Sequence, residues 1–508
     1  MTDVKISVLS AAAIMSLVAC APPADDSALR SESAAPEKSA PMYLSSKQVS
    51  TDCGIDFVPD PPPGFAHRPG AELEDMPDAI AGWQAIGADR PAAETIAEKV
   101  SPGYVLIEPG FRKQRLLVNN DKEIVATFES DYFGFTQLMP DGTRLVSGNV
   151  FSDQFNEGGG NRGCIEEYAA DGSLNWRLRL ESDDYIHHHD VVKLDNGNIL
   201  AVVWERVSND KAIALGRNPE HVSENGNFWF DGIIEVDPAT AEIVWEWSAR
   251  HHLVQDFDPG LPDYGVIADH PERLDINAVR FNRDGTVKDD WTHVNALDYN
   301  AELDQIIFSS NYLSEVYVID HSTTPYEAQG DSGGRYGKGG NFLYRWGRTE
   351  NYDRGTAEDR ALFNQHDVQW IRPGLPGAGN ILIFNNGGGK LRPYSSVVEI
   401  APAMNEDGSY VLGDDGAYGP TELAWEYAPT DETIFFSWFI SGAQRLANGN
   451  TLVNHGADAK IREVTAEGEI VWEYQYDDGA KGPHMLFRAN KYAEDHPAVQ
   501  AILGQNGD

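Results

Sequence analysis

From about residue 103 the chain is written in short apolar runs that alternate with polar positions and are separated by turns. Tyr104-Val105-Leu106-Ile107, residues 114–118 and residues 123–128 make a first group of three such runs. The next group places residues 135–138, 143–147, 164–168 and 174–178 around the turn pairs Asp141-Gly142 and Asp171-Gly172. Asp-Gly and Asn-Gly between alternating runs predict β-hairpins, because both turn residues tolerate positive φ. A third group opens with Ile186-His187-His188-His189-Asp190-Val191-Val192, turns at Asp195-Asn196-Gly197-Asn198, and continues through residues 232–237 and 243–247. Residues 291–346, 366–427 and 443–474 supply three more groups, and long insertions at 206–231 and 248–290 break the spacing. Several groups end on an aromatic-acidic-aromatic strand, as in Trp245-Glu246-Trp247, Trp425-Glu426-Tyr427 and Trp472-Glu473-Tyr474.

Four antiparallel strands repeated six times predict an all-β, six-bladed propeller. The three-stranded first group then shares a blade with the end of the chain. Trp245, Trp425 and Trp472 are expected between the sheets rather than in a ligand site. A β-sandwich is the alternative architecture, and the recurring Trp-Glu-Trp/Tyr strand speaks against it.

The beginning of the chain follows different rules. Its apolar run over residues 8–18 ends in Leu17-Val18-Ala19-Cys20, which resembles a bacterial lipoprotein signal with Cys20 as the lipidated residue. The run is too short to span a bilayer. Export is therefore expected, to the periplasm or to the outer membrane as a lipid-anchored protein, with the lipid as the sole membrane contact. Residues 21–50, rich in Ala, Pro, Ser and charge, read as a flexible tether. Residues 51–100 read as an irregular extension with a short helical pattern at Met76, Ile80, Trp83 and Ile86, packing on the propeller of residues 101–508. Cys53 and Cys164 either pair in an oxidising compartment or stand as separate thiols. The formal net charge of −41 excludes phosphate backbones as natural partners and leaves nucleic-acid binding out of the reading.

Chemistry enters with the histidines. In a propeller the innermost strands converge on a central channel, and His189, His293 and His366 each head the first apolar run of their group. Imidazole there serves metal ligation, proton transfer or nucleophilic attack. A three-nitrogen zinc site would suit a metal-assisted hydrolase or lyase, but no His-x-His or His-x-x-x-His pair from one element recurs. Strand alternation sends only alternate members of His187-His188-His189 to one face, which leaves His189 as the functional candidate of the three. Asp190 and Asp367 follow their histidines directly and are expected to hold a neighbouring blade or a backbone amide.

Trp291-Thr292-His293-Val294-Asn295-Ala296, the block from Gln365-His366-Asp367 to Asn385-Asn386-Gly387-Gly388-Gly389, and the ending Phe487-Arg488-Ala489-Asn490-Lys491-Tyr492 resemble the bacterial arylsulfate sulfotransferase family. The resemblance spans roughly residues 100–500. It implies a six-bladed propeller enzyme that moves a sulfuryl group from a phenolic sulfate to a phenol. No nucleotide sulfate donor and no cofactor are implied, and the intermediate is a sulfohistidine. Carried over by position, His293 and His366 contact the sulfuryl or phenolic oxygens; His189, by its equivalent place in the repeat, and Asn295 are substrate-binding candidates. Lys390 or Arg392 stands at the family's basic position. The nucleophile belongs to the last blade, where His455 is the histidine present and Lys460 the residue that competes for the place. With Lys460 in that place the chain keeps the fold as a catalytically silent binding protein of the cell envelope.

Overall fold

The structure, a computed structural model, describes residues 49–53, 93–110, 112–129, 134–150, 152–155, 159–279, 286–388, 392–428, 435–479 and 484–505. Cys20, the tether up to residue 48, the helical pattern from Met76 to Ile86, and Lys390 lie outside these residues.

Six four-stranded antiparallel sheets are arranged as the blades of a propeller. Blade 1 consists of Tyr104–Pro109, Gln114–Val118 and Ile124–Glu129, with Leu486–Tyr492 as its innermost strand. Tyr104 pairs with Tyr492 and Ile107 with Ala489, so the end of the chain closes the ring. The innermost strands of blades 2 to 6 are Gly134–Leu138, Tyr185–Lys193, Val294–Asn300, His366–Trp370 and Gly442–Arg445. Second strands such as Ile381–Asn385 are buried at every residue, because a blade is covered on both faces by its neighbours. At Asn196-Gly197 the glycine holds φ at 90°, and the Asn196 side chain accepts from the Asn198 amide at 2.9 Å, which closes the turn the sequence announced.

Two sets of polar contacts join blade to blade. On the outside, indole N–H groups reach across the gap: Trp245 donates to the Thr323 carbonyl, Trp346 to Pro420, Trp425 to Ala466 and Trp472 to Asn120, all at 2.7–3.1 Å. The aromatic strand that ends a group is thus mortar between blades. Near the channel, side chains of one blade grip the inner-strand backbone of the next. Glu108 accepts from Thr136 N, Asp190 from Leu297 N, Asp298 from Trp370 N and Asp367 from Ala443 N. Gln137 donates to the Val191 carbonyl, and Gln444 closes the circle on both the amide and the carbonyl of Lys491. Arg488, from the closing strand, ties the ring across its centre by pairing with Asp190 at 3.1 Å and Asp367 at 3.0 Å. Leaving those two buried carboxylates unpaired would cost about 3–5 kcal/mol, so this arginine belongs to the folding problem as much as to the site.

Blade 3 overreaches the others. Its second and third strands, Ile199–Ser208 and Asn227–Asp237, run on past the start of the inner strand at Trp229, with Trp204 and Asp231 level with Ile186 near that start. The stretch 206–231, expected as an inserted loop, is largely an extension of this hairpin around the helix α1 (Asn209–Ala214). Residues 49–53 lie along blades 2 and 3: Val49 N donates to the Ala241 carbonyl, Arg179 N donates to Ser50 O, and Cys53 is disulfide-bonded to Cys164. After the closing strand, helix α2 (Pro497–Gln505) buries Ala498, Val499 and Ile502 against Leu106, Leu117, Ala126 and Leu138.

Candidate active site

The inner strands of blades 3, 4 and 5 each contain a β-bulge, between His187 and Val191, between Val294 and Ala296, and between His366 and Gln369. Each also places a non-glycine residue in the left-handed region: His189 at φ 52°, His293 at φ 51° and Asp367 at φ 54°. A bulge re-aims side chains that a regular pleat would send to opposite faces. The expected alternation within His187-His188-His189 consequently fails. His188 Nδ1 and His189 Nδ1 share a hydrogen bond at 2.8 Å, although the residues are neighbours in sequence. His187 turns away, to Ser147 Oγ and the Val202 carbonyl, both at 2.9 Å.

His189 and His293 meet edge to face with ring centroids 4.6 Å apart. Gly160 makes room for this, since a Cβ there would lie 2.0 Å from the His189 ring. His293 Nδ1 is hydrogen-bonded to the buried carboxylate of Asp290, and Tyr312 stacks on the same imidazole at 4.6 Å. Among the described residues its Nε2 has no hydrogen-bonding partner. On the other side of His189, His188 is stacked on Trp204 at 3.9 Å, and its Nε2 lies 3.0 Å from Asp231 Oδ1. That carboxylate oxygen sits off the line of the ring N–H, so neither atom completes a hydrogen bond in this geometry.

His366 is held differently. Its Nδ1 donates to Asn386 Oδ1 at 2.8 Å, and the Asn386 amide is fixed by donating to the carbonyls of Ser437 and Ile440. Nε2 accepts from Ile440 N at 3.2 Å, with Ile440 at φ 47°. A β-branched residue in the left-handed region is a strained turn, retained here against an imidazole. The same turn presents Trp438 and Phe439, stacked at 4.1 Å, beside this histidine.

Burial keeps the rings of His188, His189 and His366 neutral. Burial holds His188 and His189 well below the ordinary imidazole range, and the neighbouring histidines and Arg162 push the same way. His366 is lowered to about 3, mainly by burial, against the raising effect of its bond to Asn386. Asp231 moves up to about 7, because it is buried and faces Asp290. Positive charge comes from Arg488 and from Arg162, which is buried, lies over Phe487 at 5.1 Å and, among the described residues, leaves Nε without a hydrogen-bonding partner. Burial lowers Arg162 to about 10, so it remains a cation at neutral pH.

The sequence candidates divide accordingly. His189, His293 and His366 come together at the blade 3–5 heads. Asn295 lies beside them, donating to the Gln365 carbonyl at 2.8 Å, and its buried Oδ1 has no partner among the described residues. Arg392 is occupied within blade 5 by the Tyr394 carbonyl at 2.9 Å and Ser396 Oγ at 2.7 Å. Lys460 begins the third strand of blade 6 and pairs in register with His455 and Gln475. His455 itself is fully buried, stacked on Phe435 at 3.9 Å, with neither ring nitrogen bonded among the described residues. Among the described residues no hydrogen bond, ion pair or ring contact joins His455, Lys460 or Arg392 to the other histidines. Arg162, His188, Asp231, Asp290 and Asn386 were missed in the sequence. Asn386 had a signal there, as part of the Asn385-Asn386-Gly387 block, and His188 stood in the triple histidine, where regular strand alternation set it aside. A cavity of about 420 Å³ lined by Lys338, Arg354, Tyr410 and Tyr418 shares no residue with the cluster. Among the described residues the acidic-histidine group with atoms close enough to hold one metal is Asp477, Asp478 and His484, which is likewise elsewhere.

A six-bladed propeller whose channel gathers three histidines from three blades is a class of fold and site with a known sequence family. The family model described as Arylsulfotransferase (ASST) matches residues 164–495, well over half of the chain, and the chain belongs to that family. No curated protein matches it. Similar solved structures include a protein of unknown function from Bacteroides caccae, at 12% identity over 78% of this chain and 100% of that one, with a TM-score of 0.40. A periplasmic gluconolactonase from Pseudomonas aeruginosa aligns at 11% identity over 77% and 99%, TM-score 0.36. An inactive virginiamycin B lyase from Staphylococcus aureus aligns at 11% over 77% and 89%, TM-score 0.34. Likeness at these levels has no bearing on function.

Proposed function

We propose that the chain transfers a sulfuryl group from an aryl sulfate to a phenolic acceptor through a channel imidazole. The observation that carries the reading is the meeting of His189, His293 and His366 as buried neighbours in a member of the arylsulfotransferase family. His293 is the nucleophile this geometry favours. Asp290 takes its Nδ1–H, which leaves the Nε2 lone pair for sulfur, and the carboxylate stabilises the cationic ring that forms. His366, bonded at both nitrogens, has no ring N–H left for a substrate oxygen and serves as a fixed wall of the site against the Ile440 turn. Arg162 faces the charge that develops on the sulfuryl oxygens in a water-poor site, where a preorganised cation counts most. Tyr312, Trp438 and Phe439 offer faces for the two aromatic rings.

In the first half-reaction Nε2 attacks sulfur, the S–O bond to the aryl group breaks, and the phenolate leaves with the electron pair. In the second, a phenol oxygen attacks the sulfohistidine, loses its proton and restores the imidazole. The Cys53–Cys164 disulfide supports export to an oxidising compartment, in keeping with a lipid anchor at Cys20. The test is transfer from 4-nitrophenyl sulfate to phenol by purified protein, with mass spectrometry of the enzyme caught before acceptor is added. A mass increment of one SO3 on His293 is expected. An unmodified protein with no transfer across a panel of aryl sulfates and phenols would end the proposal.

A further inference from the structure

The reaction above leaves a proton problem: a departing phenolate needs one, and an incoming phenol must give one up. Behind His189 the structure places a chain of groups suited to this. His189 Nε2 has no hydrogen-bonding partner among the described residues, its Nδ1 is bonded to His188 Nδ1 at 2.8 Å, and His188 Nε2 lies 3.0 Å from Asp231 Oδ1. Asp231 Oδ2 is already taken by the Thr292 hydroxyl and by Val294 N at 3.3 Å, so Oδ1 is the oxygen free to carry a proton. Trp204, stacked on His188 and set edge-on to His189, keeps solvent from the linked rings. Asp290, His293 and Arg162 lie close enough to act on the chain through their charges and dipoles.

We infer that Asp231 and His188 form a proton relay behind His189, which serves as the general acid and base for the phenolic oxygen. The inference rests on the sulfuryl-transfer reading. In the resting state Asp231 Oδ1 bears a proton, His188 bears one on Nδ1 and His189 one on Nε2. As the S–O bond breaks, His189 Nε2–H protonates the phenolate, His188 Nδ1–H passes to His189 Nδ1, and Asp231 Oδ1–H passes to His188 Nε2. The products are a neutral phenol, a carboxylate at Asp231, and both imidazoles neutral in their exchanged tautomers. The acceptor phenol runs the chain backwards, so a full cycle neither gains nor loses a proton. The elevated carboxyl of Asp231 fits a group that must hold a proton near neutrality and release it. The off-line approach of His188 to Asp231 is the kind of contact that tightens when substrate binds.

A structural role and a relay are told apart by the leaving group. 4-Nitrophenolate departs with little help, whereas unsubstituted phenolate needs its proton. In single turnovers followed before acceptor is added, Asp231→Asn is expected to slow release of 4-nitrophenol from 4-nitrophenyl sulfate only slightly and release of phenol from phenyl sulfate by about tenfold or more, steepening the dependence on leaving-group basicity. His188→Gln, which cannot pass a proton between two nitrogens, should give the same steepened dependence. Equal losses with both donors in folded variants would overturn the relay and leave the sulfuryl-transfer reading standing. Absence of transfer by the unaltered protein with either donor would instead remove the reading and the relay with it.

Discussion

His293 and His455 are both buried imidazoles at strand ends of the same propeller, yet they are opposite cases. His293 has Asp290 on one nitrogen, Tyr312 on its face, His189 at its edge and a side chain 10% exposed. His455 has Phe435 on its face and, among the described residues, no bond at either nitrogen, and burial with Arg462 and Lys460 nearby holds it well below the ordinary imidazole range. An imidazole becomes a reagent when one nitrogen is oriented and the other is presented to a ligand. One with both nitrogens idle in a core is a misfit that packing tolerates, at roughly 1–3 kcal/mol for the unmet polar groups. The contrast separates a site from a family position: residue type in the expected blade is insufficient without the partner that aims it.

The largest effect should come from His293→Ala, which is expected to lower kcat for aryl sulfate transfer by on the order of 10³-fold or more and to abolish the SO3 adduct. Retention of the adduct on another histidine would dissolve the contrast. Asp290→Asn keeps a hydrogen-bonding side chain but not the negative charge. A fall in kcat of about 10²–10⁴-fold, with KM little changed, is expected from steady-state kinetics.

Stability as a function of pH sharpens the comparison from another side. His366 is lowered to about 3 in the folded chain, while the unfolded chain binds that proton near 6.5. Its stabilising contribution is therefore complete above pH 6.5 and is lost as pH falls toward 3, at up to about 1.4 kcal/mol per unit. Raised carboxyls such as Asp231 and Asp367, at about 7 and about 6, act in the opposite sense, favouring the folded state as pH drops toward the unfolded carboxylate range. Comparing thermal midpoints of the unaltered protein and His366→Asn between pH 7 and pH 4 isolates the histidine: the difference between them should shift in the variant's favour at the acid end. A pH-independent difference would place His366 in a more polar setting than the structure gives it.

The smallest effect concerns His455. His455→Leu is expected to leave transfer within a few-fold and to raise the melting midpoint by about 1–2 °C, since an apolar side chain of similar size removes the unmet nitrogens. Loss of transfer in a folded His455→Leu protein would return this histidine to the chemistry and reverse the comparison.

The architecture was legible in the chain because it is local and repeated. Turn pairs such as Asn196-Gly197, the alternation of each run and the recurring Trp-Glu-Trp/Tyr strand act within a few residues, and six copies make the pattern redundant. The ring closure followed from the same count, with three strands at one end lacking a fourth. His189, His293 and His366 could be picked out because each heads an inner strand. Their working geometry was not legible. It depends on three bulges that turn adjacent residues to one face, so that His188 joins His189 where a regular pleat would have separated them. It also depends on partners from distant positions: Asp290, from the insertion before blade 4; Asp231, on the overreaching third strand of blade 3; and Arg162, in the turn before a strand of blade 2. None of these lies in a motif. Sequence determined which backbone groups pair locally and hence the blades; burial, which sets charge and proton affinity, exists only once the blades have closed around the channel.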